Sequence, residues 1–124
     1  MINEFAKRIH ENAKAHGFYE GEKNMGEMLC LVHSEVSEAL ECDRKHSPTE
    51  WHNNSVHKIF NYGSDNDFKA EFELYIKDTF EDELADIMIR VMDIAAFKEI
   101  DLEAHIKAKM RYNELRLFKH GKKY

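Results

Sequence analysis

Met25-Gly26-Glu27-Met28-Leu29-Cys30-Leu31-Val32-His33-Ser34-Glu35-Val36-Ser37-Glu38-Ala39-Leu40 is the stretch whose reading decides the fold. Its apolar residues Met28, Leu29, Val32, Val36, Ala39 and Leu40 recur at intervals of three and four, the rhythm of a helix with one face turned toward a core. Glu35 lies three after Val32 and Glu38 sits beside Ala39, so both acids border the apolar stripe. A residue three positions on lies about 60° round a helix and about 4.5 Å along it, which lets two carboxylates aim at one point. A second stretch, Asp82-Glu83-Leu84-Ala85-Asp86-Ile87, repeats the arrangement, with Glu83 and Asp86 flanked by Leu84, Ile87, Met88, Val91 and Ala95. One such pair is common on any solvated helix face. Two pairs beside apolar stripes are not, because burying uncompensated charge is costly. Hard divalent cations take carboxylate oxygens as ligands, so the charge density predicts an ion, read here as Mg2+ with Mn2+ as a substitute.

Working outward, the chain reads as an all-α fold of four or five helices forming one domain over residues 1–124. A first amphipathic helix is predicted from about Asn3 to His16, with Phe5, Ile9 and Ala13 on one side and Gly17 ending it. Asn24 followed by Glu27 has the form of a capping box and starts a long helix through about Lys45. Pro48 and the polar stretch from Trp51 to Asp67 predict a loop with at most a short helix. From Phe68 the helical period resumes, with a break near Thr79, and the second acidic helix runs to about Lys98. Asp101 caps a last helix to about Phe118, with Ile106, Met110 and Leu117 expected inward.

Five glycines and one proline in 124 residues favour long helices over a sheet. The longest apolar runs, Met28 to Val32 and Ile94 to Phe97, fall far short of the roughly 20 residues a bilayer requires. With no secretory hydrophobic segment near Glu4, Lys7, Arg8 and Glu11, a cytoplasmic protein without membrane contact is expected. Cys30 and Cys42 lie twelve apart in one predicted helix, an axial rise of about 18 Å that no disulfide spans. The eight histidines form no His-x-x-x-His pair and the cysteines no Cys-x-x-Cys, which argues against a zinc site. The Glu-x-x-His element of di-iron bundles is also missing.

Charge is uneven. Residues 105–124 carry seven basic side chains against Glu114, whereas the rest of the chain carries eleven basic and twenty-three acidic residues, within a net charge of −6. That balance argues against a nucleic acid polymer as partner and suits a small polyphosphate, for which a carboxylate-held cation and nearby Lys and Arg supply the neutralising charge. No Walker-type glycine loop is present to cradle phosphates with backbone amides.

Glu35-x-x-Glu38, then Glu83-x-x-Asp86, then Lys109-x-x-x-Asn113-x-x-Arg116 with His120-Gly121-Lys122-Lys123 resembles the MazG-like members of the all-α nucleoside triphosphate pyrophosphohydrolase superfamily. The resemblance covers residues 1–44 and 76–124. It implies a helical bundle assembled as a homodimer or homotetramer and Mg2+-dependent hydrolysis of a nucleoside triphosphate to the monophosphate and pyrophosphate. It further implies Glu35, Glu38, Glu83 and Asp86 as metal carboxylates, with Glu35 or Glu38 as the catalytic base. Lys109, Asn113 and Arg116, and more loosely Lys122 and Lys123, fall at positions that approach substrate in relatives. House-cleaning or control of nucleotide pools is the expected role, with non-standard and pyrimidine deoxynucleotides both open as substrates. A helical nucleotide- or Mg2+-binding regulatory protein without turnover is the alternative.

The segment between Glu38 and Glu83 is longer than in most members of the family it resembles, and for the additional stretch, about 44 to 77, a lid, a dimer arm and part of a base pocket stay open. Phe18, Tyr19, Trp51 and Tyr62 are candidate stacking surfaces, to be weighed against filling of core or interface. Asp93, seven after Asp86, returns to nearly the same helix face. An outer acceptor, a support for a basic partner, a partner for Arg90 and a solvated side chain are its four readings.

Overall fold

The spacing of residues in the first acidic helix carries straight into its packing. In the computed structural model, Met25, Met28, Val32, Glu35, Ala39 and Cys42 form the buried and half-buried stripe of that helix, a regular alternation of three and four. The structure describes residues 1–45, 49–61 and 63–124, with the side chains of Thr49 and His120 excepted. The expectations attached to Pro48, Tyr62 and the His120 side chain lie outside the described residues.

Among the described residues the chain is all-α, with no strand: α1 (Ile2–Ala15), α2 (Met25–Arg44), α3 (Thr49–Ile59), α4 (Asp65–Tyr75), α5 (Phe80–Phe97), α6 (Leu102–Glu114) and a 3-10 turn over Phe118–Gly121. No helix among them is long and apolar enough to cross a membrane. Two compact units result, one of residues 23–90 and one of residues 1–22 with 91–124.

In the 23–90 unit, α3 packs on α4, and Ala39, Cys42, Ile59 and Ile76 are its buried apolar residues. Trp51 meets Tyr75 edge-on at 5.4 Å between ring centroids. His52, itself buried, is hydrogen-bonded through Nδ1 to Glu81 Oε2 at 2.8 Å. Within the polar stretch expected to be mostly loop, α3 runs to Ile59 and α4 already begins at Asp65. Ser64 starts the second of them by accepting from the Asp67 amide at 3.4 Å, four residues before the apolar period becomes visible at Phe68.

The expected break near Thr79 is present and built from local hydrogen bonds. Thr79 Oγ1 accepts from the Asp82 amide at 3.3 Å, and Asp82 Oδ2 accepts from the Asp78 amide at 3.1 Å. Asp78 takes a left-handed conformation with φ 61°, and its carbonyl accepts from Cys42 Sγ at 3.3 Å. This turn fixes the start of α5 and ties it to the last turns of α2.

In the other unit, α1 packs on α6. The Asn3 side chain donates to Asp101 Oδ1 at 2.8 Å and accepts from the Glu103 amide at 3.2 Å, while Asp101 caps α6 through the Ala104 amide at 3.0 Å. As expected, Gly17 ends α1: at φ 82° it sits in a Schellman turn, with Gly17 N–H on the Lys14 carbonyl and Phe18 N–H on that of Ala13.

Two expectations about facing are corrected. Leu29, Val36 and Leu40 are exposed, because α2 carries a second apolar stripe and this chain buries the one through Val32 and Ala39. The last helix stops at Glu114, and Leu117 has extended backbone, so Leu117 leaves the helical register and is 80% exposed; Met110 is also exposed.

α5 ends in the same Schellman pattern as α1, with Glu99 N–H on the Ala96 carbonyl and Ile100 N–H on that of Ala95, but the left-handed residue is Glu99 at φ 56°. A side chain there is strained where glycine is not. Glu99→Gly is expected to raise stability by about 0.5–1 kcal/mol in urea unfolding.

Candidate metal centre

Glu35 reaches the interior because it occupies a place in the three-and-four stripe of α2 that an apolar residue would ordinarily fill. Glu83 does the same in the first turn of α5, below the Thr79 cap. Glu35 is 7% and Glu83 5% exposed. Glu38, one turn further along α2, is exposed. Each of the three offers an oxygen to a group whose atoms all lie within 4.8 Å of one another. Asp86, the second acid of the α5 pair, is half-buried and stands outside that group.

The electrostatics of the set are unbalanced. Arg90, two turns beyond Glu83 on α5, donates through Nε to Glu35 Oε1. Burial pushes the Glu35 carboxyl up, but the hydrogen bonds from Arg90, Glu38 and Glu83 outweigh it, and the group ends below its ordinary value. Glu38 is raised by its hydrogen bond and charge contact with Glu35. Glu83 has no such relief. Its own burial, then the charges of Glu38, Asp86, Glu35 and Asp82, push it up to about 7, and its buried Oε2 has no hydrogen-bond partner. Asp86 is raised too, first by burial and then by Asp82 and Glu35. The same crowding reaches Cys42, whose thiol is raised by burial and by the charge of Glu83.

A buried carboxylate oxygen without a donor, inside an all-oxygen set, is the environment a hard divalent cation relieves. The residues present fit such an ion, and Glu35, Glu38 and Glu83 are the ones positioned to hold it. Sequence reasoning found these three but gave Arg90 only as a partner for Asp93. Arg90 lies seven after Glu83 and four after Asp86, on nearly the same face of α5, a signal in the spacing that could have found it.

The remaining expected site residues divide between the two units. In the 23–90 unit, Trp51 is 46% exposed and has its ring against His52 and Tyr75. In the other, Phe18 is exposed, and Tyr19 is half-buried with its ring 4.5 Å from that of His10 and 5.2 Å from that of Phe97. The Tyr19 hydroxyl donates to Asp93 Oδ2 at 2.6 Å, and its pKa is raised by burial and by that carboxylate. Asp93 Oδ1 is hydrogen-bonded to His10 Nδ1 at 2.8 Å, so Asp93 neither pairs with Arg90 nor faces solvent. Lys109 and Arg116 gather on the Tyr112 ring, at 4.9 and 5.5 Å from its centroid. Asn113, on α6 between them, keeps a buried Oδ1 with no hydrogen-bond partner. Lys122 and Lys123 follow the 3-10 turn and are exposed.

A carboxyl raised to about 7 in the folded chain, against an ordinary 4.5, binds its proton more tightly folded than unfolded. Its contribution to stability is full below pH 4.5 and is lost as pH rises through about 7. Without divalent ions, Glu83→Gln is therefore expected to stabilise the protein by about 1–3 kcal/mol at pH 8 and to change little at pH 5, in thermal melts at both values. Added Mg2+ is expected to raise the wild-type midpoint at pH 8 and to leave that of Glu83→Gln nearly unmoved.

Comparison with protein-family models, with curated proteins and with solved structures finds no match, so the chemistry of the site rests on its own residues.

Proposed function

We propose that the chain is a MazG-like nucleoside triphosphate pyrophosphohydrolase, hydrolysing a triphosphate to the nucleoside monophosphate and pyrophosphate with Mg2+. The observation that carries this reading is the partnerless buried oxygen of Glu83 in a set with Glu35 and Glu38. Two acidic pairs on helices, a basic chain end and the lack of a glycine-rich phosphate loop support it from the sequence.

In this reading Glu35, Glu38 and Glu83 hold the ion, with Asp86 as the further carboxylate of the α5 pair. When bound, a divalent cation neutralises triphosphate oxygens and stabilises the charge that develops on departing pyrophosphate. The chain's own residues do the rest. Arg90 keeps Glu35 ionised and fixed in direction. Glu38, the one carboxylate of the three that is exposed, meets incoming water and takes its proton as the water oxygen attacks the α-phosphorus. The bond from the α-phosphorus to the bridging oxygen breaks, and the electron pair leaves with pyrophosphate. The resemblance implies Lys109, Asn113, Arg116, Lys122 and Lys123, all of the unit of residues 1–22 and 91–124, as phosphate-binding residues. The exposed apolar residues Leu29, Val36 and Leu40 on α2, with Leu84 and Met88 on α5, support assembly as a homodimer or homotetramer, since such surface is normally covered. Non-standard and pyrimidine deoxynucleotides are the substrate classes proposed, in a cytoplasmic role of nucleotide house-cleaning.

The Arg90 pair with Glu35 favours a second reading, in which the guanidinium already serves as the cation and the protein binds nucleotide without turning it over. Pyrophosphate release separates the two. Wild type is expected to release pyrophosphate from a panel of nucleoside triphosphates with Mg2+ and not with EDTA, and Glu38→Gln to lose at least about 100-fold in rate while melting like wild type. Folded wild type inactive on the whole panel would leave the regulatory reading in its place.

A further inference from the structure

The segment between the two acidic helices builds a groove of its own. It lies between α4 and the start of α5, has a volume of about 390 Å3, and is lined by Phe68, Phe72, Asp82 and Asp86, with Lys69 and Lys77 also at its wall. Its volume is in the usual range for small-molecule sites, roughly 300–1,000 Å3.

The two sides differ in chemistry. Phe68 and Phe72 stand one turn apart on α4, half-buried, with ring centroids 5.9 Å apart and planes inclined at 35°, an almost continuous aromatic wall. Asp82 and Asp86 stand one turn apart on α5, also half-buried. Asp82 is fixed by the helix start, through its amide on Thr79 and its Oδ2 on the Asp78 amide. Asp86 belongs to the groove and to the acidic pair of α5 at once. A ligand lying in the groove would thus have an aromatic surface on one side, acceptors on the other, and one end at Asp86, the second acid of the α5 pair.

We propose that this groove holds the base of the nucleotide, and that it selects bases with an amino group on the Watson–Crick edge, those of the cytosine and adenine type, over uracil and thymine. This deepens the pyrophosphohydrolase reading and rests on it. A carboxylate oxygen that accepts a hydrogen bond pairs with an exocyclic amine and repels a keto oxygen in the same place. Lys69 and Lys77 are donors, but both are exposed and stay hydrated whatever the base. Asp82 Oδ2 is taken by the Asp78 amide, so Oδ1 is the acceptor left for the base. Leaving a half-buried acceptor unpaired costs more than leaving a lysine solvated, which makes Asp82 decide the choice. The Phe68–Phe72 wall accepts any base by stacking and supplies affinity without selectivity.

The test measures kcat/KM with Mg2+ for CTP, dCTP and ATP against UTP and dTTP, in wild type, Phe72→Ala and Asp82→Asn. Wild type is expected to favour the amino-bearing bases about tenfold or more, and Asp82→Asn to narrow that ratio to within about threefold. Phe72→Ala is expected to raise KM about tenfold for every substrate with kcat little changed. Where Phe72→Ala does not fold, Phe72→Leu removes the π face and keeps most of the volume. Equal use of UTP and CTP by wild type, or a ratio unmoved in Asp82→Asn together with a KM unmoved in the Phe72 variant, overturns the proposal. If no triphosphate is hydrolysed, the pyrophosphohydrolase reading fails by itself, and the groove is judged by NMR titration with CMP and UMP. Shifts at Phe68 and Phe72 with CMP and not UMP uphold it, and equal shifts or none overturn it.

Discussion

Two carboxylates buried between α2 and α5 set the terms for everything around them. Glu35 and Glu83 each take a stripe position that packing would give to a Leu or Val, and each must be kept solvated or compensated there. Arg90 compensates one of them, and the other keeps an oxygen with no donor at all. Removing water from such a pair is unfavourable unless something of opposite charge arrives, and breaking the Arg90 contact would expose a second uncompensated charge. The α2–α5 interface therefore gives up apolar contact in order to hold a concentrated negative charge. No large side chain among the described residues is fully buried, consistent with a chain that leaves part of its apolar surface for another contact.

Backbone chemistry, more than side-chain packing, keeps that charge in place. The turn at Asp78 and Thr79 sets where α5 begins, and the Cys42 thiol on the Asp78 carbonyl ties that beginning to α2. A shift of one residue in the start of α5 would turn Glu83 by about 100° away from Glu35. The cap is thus as much a part of the acidic set as the carboxylates are.

What could be read from the sequence, and what could not, follows from the range of the forces involved. Gly17, Asn24 and Asp101 act on amides a few residues away, so the ends they set were legible. Glu35 and Glu83 were legible because acids rarely interrupt a three-and-four apolar rhythm. α3 and the first turn of α4 were not, since Ser55, His57, Lys58 and Asn66 dilute their period below what pattern alone can recognise. Pairs far apart in the chain were also hidden. Arg90 shares a helix face with Glu83, but its partner Glu35 lies fifty-five positions away, and the spacing around Asp93 did not say that His10 and Tyr19 would be its partners. Leu29, Val36 and Leu40 show the limit of pattern reading itself, because two apolar stripes on one helix do not say which of them a single chain will cover.

The α3–α4 pair has a further consequence, for how such a chain can diverge. Phe68 and Phe72 belong to an element that supplies none of the clustered carboxylates, while α2 and α5 supply all of them. Drift at the aromatic wall can therefore remodel one side of the groove without disturbing a residue that holds charge, whereas drift in α2 or α5 alters both packing and charge together. The two halves of the unit are open to variation on different terms, since changes in α3 and α4 leave the clustered carboxylates of α2 and α5 in place.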